Sequence, residues 1–264
     1  MKKYIITLLA FFSVSITTMS SQTLVATTPT INSGDTAWMI VATALVLFMS
    51  IPALALFYGG LVRRKNVLNV FMQCLIIVAV ISIEWVVCGY SLSFGSSHGF
   101  LTPFIGGFDW AFLNNIHISD LSPYFISHSQ VAADGTSTGT IPHLVFVMYQ
   151  CMFAVITPAL IIGAFAERIN FKGFLIFTIL WSLLIYNPVA HWVWSADGWL
   201  FKLGALDFAG GTVVHVNAGI AAIITAIMLG KRRDYDGHAL PPHNITYVVM
   251  GAAMLWVGWF GFNA

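Results

Sequence analysis

The sequence predicts an all-α polytopic membrane protein, and three observations carry that prediction. Of 264 residues, 58% are hydrophobic and 8% charged, whereas a soluble domain carries about 25% charged residues. The apolar residues gather into six runs, each long enough for a bilayer core that takes about 20 helical residues to cross. The basic residues sit in alternate connections between those runs, as a serpentine chain requires. A core of this size cannot hide so much apolar surface from water, so lipid must be the solvent.

Residues 1–25 read as a secretory signal peptide. Lys2 and Lys3 form a basic start, residues 4–12 an apolar core too short to span, and a Ser/Thr-rich stretch follows with cleavage expected between Ser20 and Ala26. The rival is an uncleaved first helix. A single domain over 35–264 then supplies spans at 36–62, 67–94, 141–166, 173–194, 208–230 and 245–264. The long connection 95–140 mixes Gly, Ser, Asn and Asp with apolar patches and predicts an ordered extramembrane loop with a short helix or two. The last run stops at Gly261-Phe-Asn-Ala264 without a polar or basic flank, where a helix ordinarily has a cap. The expectation is a truncated chain.

Eight of the eleven Lys and Arg fall in three short connections: Arg63, Arg64 and Lys65; Arg168 and Lys172; Lys231, Arg232 and Arg233. The positive-inside rule puts these in the cytoplasm and the 95–140 loop outside, with the mature N-terminus. Trp192, Trp194 and Trp199 mark the outer end of the fourth span, where interfacial anchoring is the ordinary reading. A net charge of +1 argues against nucleic acid as a partner. Cys74, Cys88 and Cys151 all lie in apolar runs, with neither metal spacing nor a disulfide pattern, and read as small buried hydrophobes. Nothing calls for a cofactor.

The most informative stretch is Asp207-Phe-Ala-Gly-Gly-Thr-Val-Val-His215-Val-Asn217. No formally charged residue follows Asp207 until Lys231, and polar groups inside such a run usually mark a pathway or a buried partner. Further segments join it in order: Asp35-Thr-Ala-Trp38 with Ala44-Leu-Val-Leu-Phe-Met49; Pro52 through Asn66 with Tyr58-Gly-Gly at its centre; Trp85-Val-Val-Cys-Gly-Tyr-Ser-Leu-Ser-Phe94; Gly163-Ala-Phe-Ala-Glu-Arg168; and Gly258-Trp-Phe-Gly-Phe-Asn-Ala264. Together these resemble the Amt/Mep/Rh ammonium transporter family, in its bacterial Amt form, collinearly from about Asp35 onward. The resemblance implies an ammonium-transporter fold, of which this chain would hold the first five-helix half and most of helix 6 of an eleven-helix bundle. It also implies a homotrimer in the bacterial inner membrane, a role in nitrogen metabolism, and a PII-type nitrogen-regulatory partner on the cytoplasmic face.

It implies site residues as well. His215 matches the first of two pore histidines; taken alone, an intramembrane histidine is more often a ring hydrogen-bonded across helices. Asp207 matches an aspartate near the outer recruitment site, and as the opening residue of a helix it also reads as an N-cap worth about 1 kcal/mol. Gly210 and Gly211 read as permitting a neighbour's close approach. Trp194 matches the aromatic wall of the outer cation site, where cation–π attraction contributes about 1–2 kcal/mol. Phe153 matches an entrance gate, Phe262 its stacked partner, and Tyr149 shares a helix face with Phe153. Trp259 and Asn263 are carried over too, although a phenylalanine or tryptophan in lipid is ordinarily core or belt. Glu84 departs from the pattern, because relatives are usually apolar or amide-bearing there; it is expected to be neutral, paired across a subunit interface, or near the outer surface, and is not assigned to the pore.

Three functions compete: an ammonium/ammonia pore, an ammonium sensor on the same fold, and a membrane enzyme. The last lacks HExxH, paired carboxylates or a Ser/His/Asp arrangement. For the pore the physics is coherent. Desolvation disfavours ammonium over ammonia, an imidazole both donates and accepts, and potassium has no proton to give up.

Overall fold

The computed structural model describes residues 30–124, 130–131, 137–232, 235 and 241–264. The expected signal peptide lies outside the described residues. Six helices long and apolar enough to cross a membrane run over Ser33–Leu61, Arg64–Phe94, His143–Phe165, Phe171–Lys202, Gly211–Leu229 and Ile245–Phe262. They are called spans 1 to 6 below. Every predicted run is found, and the differences lie at the ends.

Span 1 starts three residues before the predicted position because Asn32 caps it, its side-chain oxygen accepting from the Asp35 amide at 3.0 Å. The same logic sets span 6, where the Asn244 side chain accepts from the Tyr247 amide at 3.1 Å. Span 5 starts at Gly211 rather than 208 because residues 208–210 form a turn under the Asp207 carboxylate. Span 4 runs on past Trp194 because a short turn at 195–198 leads into a last helical piece, Trp199–Lys202.

Four spans contain a wider, π-type turn: Met49–Leu54, Trp85–Gly89, Ser182–Tyr186 and Gly211–Val216. In the first, Ile51 leaves helical backbone (φ −142°, ψ 120°) just before Pro52. That is the expected response to a ring that excludes an amide donor and crowds the preceding residue. Such turns re-aim side chains inside a helix and cluster at functional sites.

Span 3 is the axis of the bundle. It is 78% buried over its apolar window, against 28% for span 5 and 22% for span 6, and it packs on spans 1, 2 and 5. Span 6 lies on span 1 along a stripe of glycines: a Cβ at Gly251 would meet the Phe57 amide nitrogen at 2.5 Å, and one at Gly261 the Ala42 carbonyl oxygen at 2.7 Å. Small residues let apolar helices approach to backbone distance where lipid supplies no hydrophobic drive.

The described part of the connection between spans 2 and 3 carries 3₁₀ turns at Gly99–Leu101 and Ala111–Leu113. It also contains a two-residue antiparallel ladder, Gln130–Val131 against Ser137–Thr138, that the sequence does not predict. All three cysteines are free; Cys74 and Cys151 are buried and Cys88 is half-buried.

The three basic connections meet at one end of the bundle. Glu167 Oε1 accepts from the Arg63 amide at 2.9 Å, Arg63 Nε at 3.0 Å and Asn66 Nδ2 at 2.6 Å, and Arg232 Nη1 lies 3.8 Å from its other oxygen. Arg168 Nη1 caps the end of span 5, donating to the Gly230 carbonyl at 2.7 Å. Burial alone would raise the pKa of Glu167, but the bonds from Asn66 and Arg63 outweigh it and hold the carboxyl below its ordinary value. A carboxyl depressed by folding lends stability that is whole above its unfolded pKa and is lost as pH falls through the folded one. The melting temperature of the detergent-solubilised protein should therefore be level near neutrality and fall on the acid side, and Glu167→Gln should flatten that acid limb. An unchanged acid limb in Glu167→Gln would remove this cluster from the account.

Candidate functional site

At the opposite end of the bundle, Asp207 organises the entry to span 5. Its Oδ1 accepts from the amides of Gly210 (2.6 Å) and Gly211 (2.8 Å), and its Oδ2 from Thr212 (2.7 Å) and Val213 (2.9 Å). These are donors that a helix start leaves without partners, and an ionised carboxylate at that end also suits the helix dipole. Gly210 makes the turn possible with a left-handed φ of 92°, and a Cβ there would meet Val214 Cγ2 at 2.5 Å. This corrects the expectation for the glycine pair. Gly211 faces open space apart from Asp207 Oδ1 at 4.0 Å, so the pair serves a turn rather than a neighbouring helix.

Trp194 stands half-buried at the end of the helix Asn187–Trp194 in span 4 and turns inward. Its indole Nε1 donates to the Asp207 carbonyl at 2.8 Å, and its ring meets Phe153 edge-on at 5.7 Å. The belt reading fits its two neighbours better. Trp192 Nε1 donates to the Phe104 carbonyl at 2.7 Å in the connection between spans 2 and 3, and its ring lies 5.8 Å from Trp199.

Phe153 is 2% exposed on span 3 and packs on Phe262 of span 6, with ring centroids 4.6 Å apart. Tyr149, one turn earlier, lies 5.0 Å from Phe153. Its hydroxyl donates to the Gly261 carbonyl at 2.8 Å, with the Phe262 carbonyl at 3.1 Å, which pins the end of span 6 against span 3.

Five of the seven predicted residues, Trp194, Asp207, Tyr149, Phe153 and Phe262, line one cavity of about 530 Å³. His215 and Trp259 do not line it. They stack on each other at 5.7 Å and 14°, and Phe262 links them to the cavity, at 5.8 Å from His215 and 5.4 Å from Trp259. Phe262 therefore touches the cavity on one side and His215 on the other. His215 is exposed on span 5, and Asn263 follows the last helical residue of span 6.

Sequence reading missed part of the wall. Gln150 lines the cavity and its buried Oε1 has no protein partner, so an acceptor is held ready there; an amide inside a 23-residue apolar helix was the available signal. Tyr124 comes from the connection between spans 2 and 3, lines the cavity and stacks on Phe146 at 5.4 Å. Burial pushes its phenol up to about 12, with a Ser195 bond opposing and Asp197 adding, so Tyr124 is an uncharged part of the wall. Among the described residues no group of His, Cys, Asp or Glu has the arrangement of a metal site. Glu84 proves to be buried inside the chain, bonded to Asn187 and Ser182 of span 4. That corrects the expectation of a partner across a subunit interface.

Spans, cavity and intramembrane histidine define a polytopic helical membrane protein with an aromatic vestibule at one end. The family model for the Ammonium Transporter Family matches residues 37–264, and the chain belongs to that family. An ammonium transporter of Bacillus subtilis (strain 168) is 47% identical over 230 residues, covering 87% of this chain and 52% of that protein. One from Aquifex aeolicus (strain VF5) is 44% identical over 235 residues, covering 89% and 50%. The solved structure of Saccharomyces cerevisiae Mep2 superposes with a TM-score of 0.73 at 35% identity, over 88% of this chain and 48% of that one. A structure described as a sensor Amt protein gives 0.73 at 30% identity, over 87% and 53%. The chain thus spans about half the length of the curated relatives it matches.

Proposed function

We propose that the protein carrying this chain moves ammonium nitrogen across a membrane: Trp194 and Asp207 shape the outer vestibule, Phe153 and Phe262 gate it, and His215 receives ammonia below the gate. The observation that carries this reading is the Phe153–Phe262 pair, 4.6 Å apart, set between an aromatic cavity and His215. A small cation entering the vestibule finds the faces of Trp194 and Phe153, which attract positive charge when partly desolvated. The gate itself is two phenyl rings with no polar atom. Passing it as a cation costs desolvation, and that cost falls on the charged form alone. Ammonium escapes it by giving one proton to water on the vestibule side, so that neutral ammonia crosses and the proton stays outside; an imidazole below the gate can accept from or donate to the ammonia that arrives.

Asp207 acts here through shape and field. Its four lone-pair positions are committed to backbone amides, so direct ligation of the cation is not its role. A transporter on this reading needs no enzyme chemistry. The likeness to a sensor Amt protein is a likeness of fold and does not favour sensing over transport. Homotrimer assembly, the bacterial inner membrane, a cleaved signal over 1–25, a PII-type partner at the Glu167 end and a place in nitrogen metabolism belong to this proposal.

The natural gene product should restore growth on low ammonium to a host lacking its own ammonium transporters; no growth despite a folded, membrane-inserted protein would sink it. The orientation is tested separately. A cysteine at Ser97 should react with a membrane-impermeant reagent from outside the cell and one at Lys65 should not, because the basic connections are retained inside. Labelling at Lys65 alone would invert the topology.

A further inference from the structure

A buried polar relay joins spans 2 and 4; none of its members lines the cavity, and the proposed pathway does not use it. His191 is 0% exposed on the inward face of span 4. Its Nδ1 lies 3.0 Å from the Ser93 carbonyl oxygen and its Nε2 2.8 Å from the Thr102 carbonyl oxygen. A carbonyl oxygen only accepts. A neutral imidazole owns one N–H and one bare lone pair, so it satisfies one of these contacts and sets lone pair against lone pair at the other. The ring with two N–H groups satisfies both.

A buried cation needs a counter-charge, and the bonds lead to one. Ser93 Oγ donates to Asn187 Oδ1 at 3.4 Å, Asn187 Nδ2 donates to Glu84 Oε1 at 2.7 Å, and Ser182 Oγ donates to Glu84 Oε2 at 3.2 Å. Glu84 is 8% exposed, and among the described residues no basic side chain pairs with it directly; the ion pairs there belong to Glu167 and Asp197. The link passes through Ser93 itself, whose carbonyl meets His191 and whose hydroxyl donates onward, and each side-chain donor beyond it points toward the carboxylate. The nearby rivals are otherwise occupied: Asp197 pairs with Lys202 at 3.5 Å, and Asp207 is saturated by backbone amides.

We propose that Glu84 and His191 form a separated buried ion pair, carboxylate and imidazolium, relayed by Asn187 and Ser93, which fixes the outer half of span 4 and thereby positions Trp194. The geometry explains the placement. Glu84 abuts the wide turn Trp85–Gly89, and Ser182 and Asn187 flank the wide turn Ser182–Tyr186, so the relay ties together the two places where these helices are weakest. His191 holds the outer turn at Thr102, and Trp194 follows three residues later. Both are positioning residues that touch no permeating species. The consequence for Trp194 rests on the proposed ammonium transport, whereas the charge state of His191 does not.

The test uses the natural gene product in lipid vesicles with isotope-labelled histidine ring nitrogens, read by solid-state NMR, and His191 is identified by the signals lost in His191→Gln. Two protonated ring nitrogens are expected at neutral pH, reverting to a neutral ring in Glu84→Gln and unchanged in Asp197→Asn. A neutral His191 in the unsubstituted protein overturns the proposal, as does an imidazolium that survives Glu84→Gln or is lost in Asp197→Asn. In methylammonium uptake, Glu84→Gln and His191→Gln should each raise KM about tenfold with the maximal rate kept, and the double variant should return to within about threefold, because removing both charges leaves neither stranded. A double variant no better than the worse single one refutes the coupling. If the unsubstituted protein takes up no methylammonium, the transport reading fails and the NMR result still decides the ion pair.

Discussion

His215→Ala should leave the protein folded and cut ammonium flux by at least about tenfold, the scale of losing one hydrogen bond to a charged or reacting group. The stability half of that expectation follows from packing. The ring stacks on Trp259 and Phe262 but is exposed on span 5, so truncation opens no closed cavity and strands no buried partner. The transport half follows from position. Behind the phenylalanine pair, His215 is the polar side chain whose ring contacts connect to the gate. Ammonia arriving there without it has no acceptor or donor in an apolar surrounding, and the barrier to proton loss rises by whatever that bond supplied. The measurement is initial-rate uptake at matched protein levels, with the melting temperature alongside. Normal, selective flux through His215→Ala would make His215 a structural histidine and end the mechanism.

Asp207→Ala should be the most damaging single change to stability near the site, at about 2–3 kcal/mol, because it strands the half-buried amides of Gly210 and Val213 and returns the exposed ones of Gly211 and Thr212 to solvent. That exceeds the ordinary cap value of about 1 kcal/mol, since both carboxylate oxygens work and the helix they cap begins with a wide turn. Asp207→Asn should fall between, keeping one acceptor oxygen and forcing an N–H against amide donors. Transport should fall in step with stability, because the Trp194 indole hangs on the Asp207 carbonyl. A folded Asp207→Ala protein with an unchanged melting temperature and no uptake would show instead that the carboxylate handles the cation directly.

The spans were legible because six apolar runs have no other use in one chain, and at two starts a particular side chain moved the limit, Asn32 at span 1 and Asp207 at span 5. The wide turns were not legible. An i→i+5 step leaves no mark on an apolar helix beyond a nearby proline, as Pro52 gives at Met49–Leu54 and Pro188 just after Ser182–Tyr186; otherwise it is fixed by what the helix packs against. The cap role of Asp207 could be read from an aspartate followed by Gly-Gly-Thr, but the count of four amides could not. The glycine pair was misread because a left-handed backbone and a helix contact demand the same residue. Trp194 could be told from its belt neighbours by motif and not by periodicity. The partners of Glu84 lie about 100 residues away, at Ser182 and Asn187, beyond any local pattern. Gln150 was visible as an amide in an apolar helix, whereas Tyr124 reaches the wall from a loop whose folding over the vestibule no sequence spacing encodes.

The central claim is that the cation surrenders its proton at the gate, and it is tested most directly by ion selectivity of the purified natural gene product in lipid vesicles. Ammonium and potassium gradients of equal size are imposed in turn, while internal accumulation of each species is followed. Ammonium nitrogen should enter and potassium should be excluded, since potassium has no deprotonated form to cross the apolar Phe153–Phe262 pair. Potassium entering at a rate comparable to ammonium would mean that intact cations pass, and would contradict it.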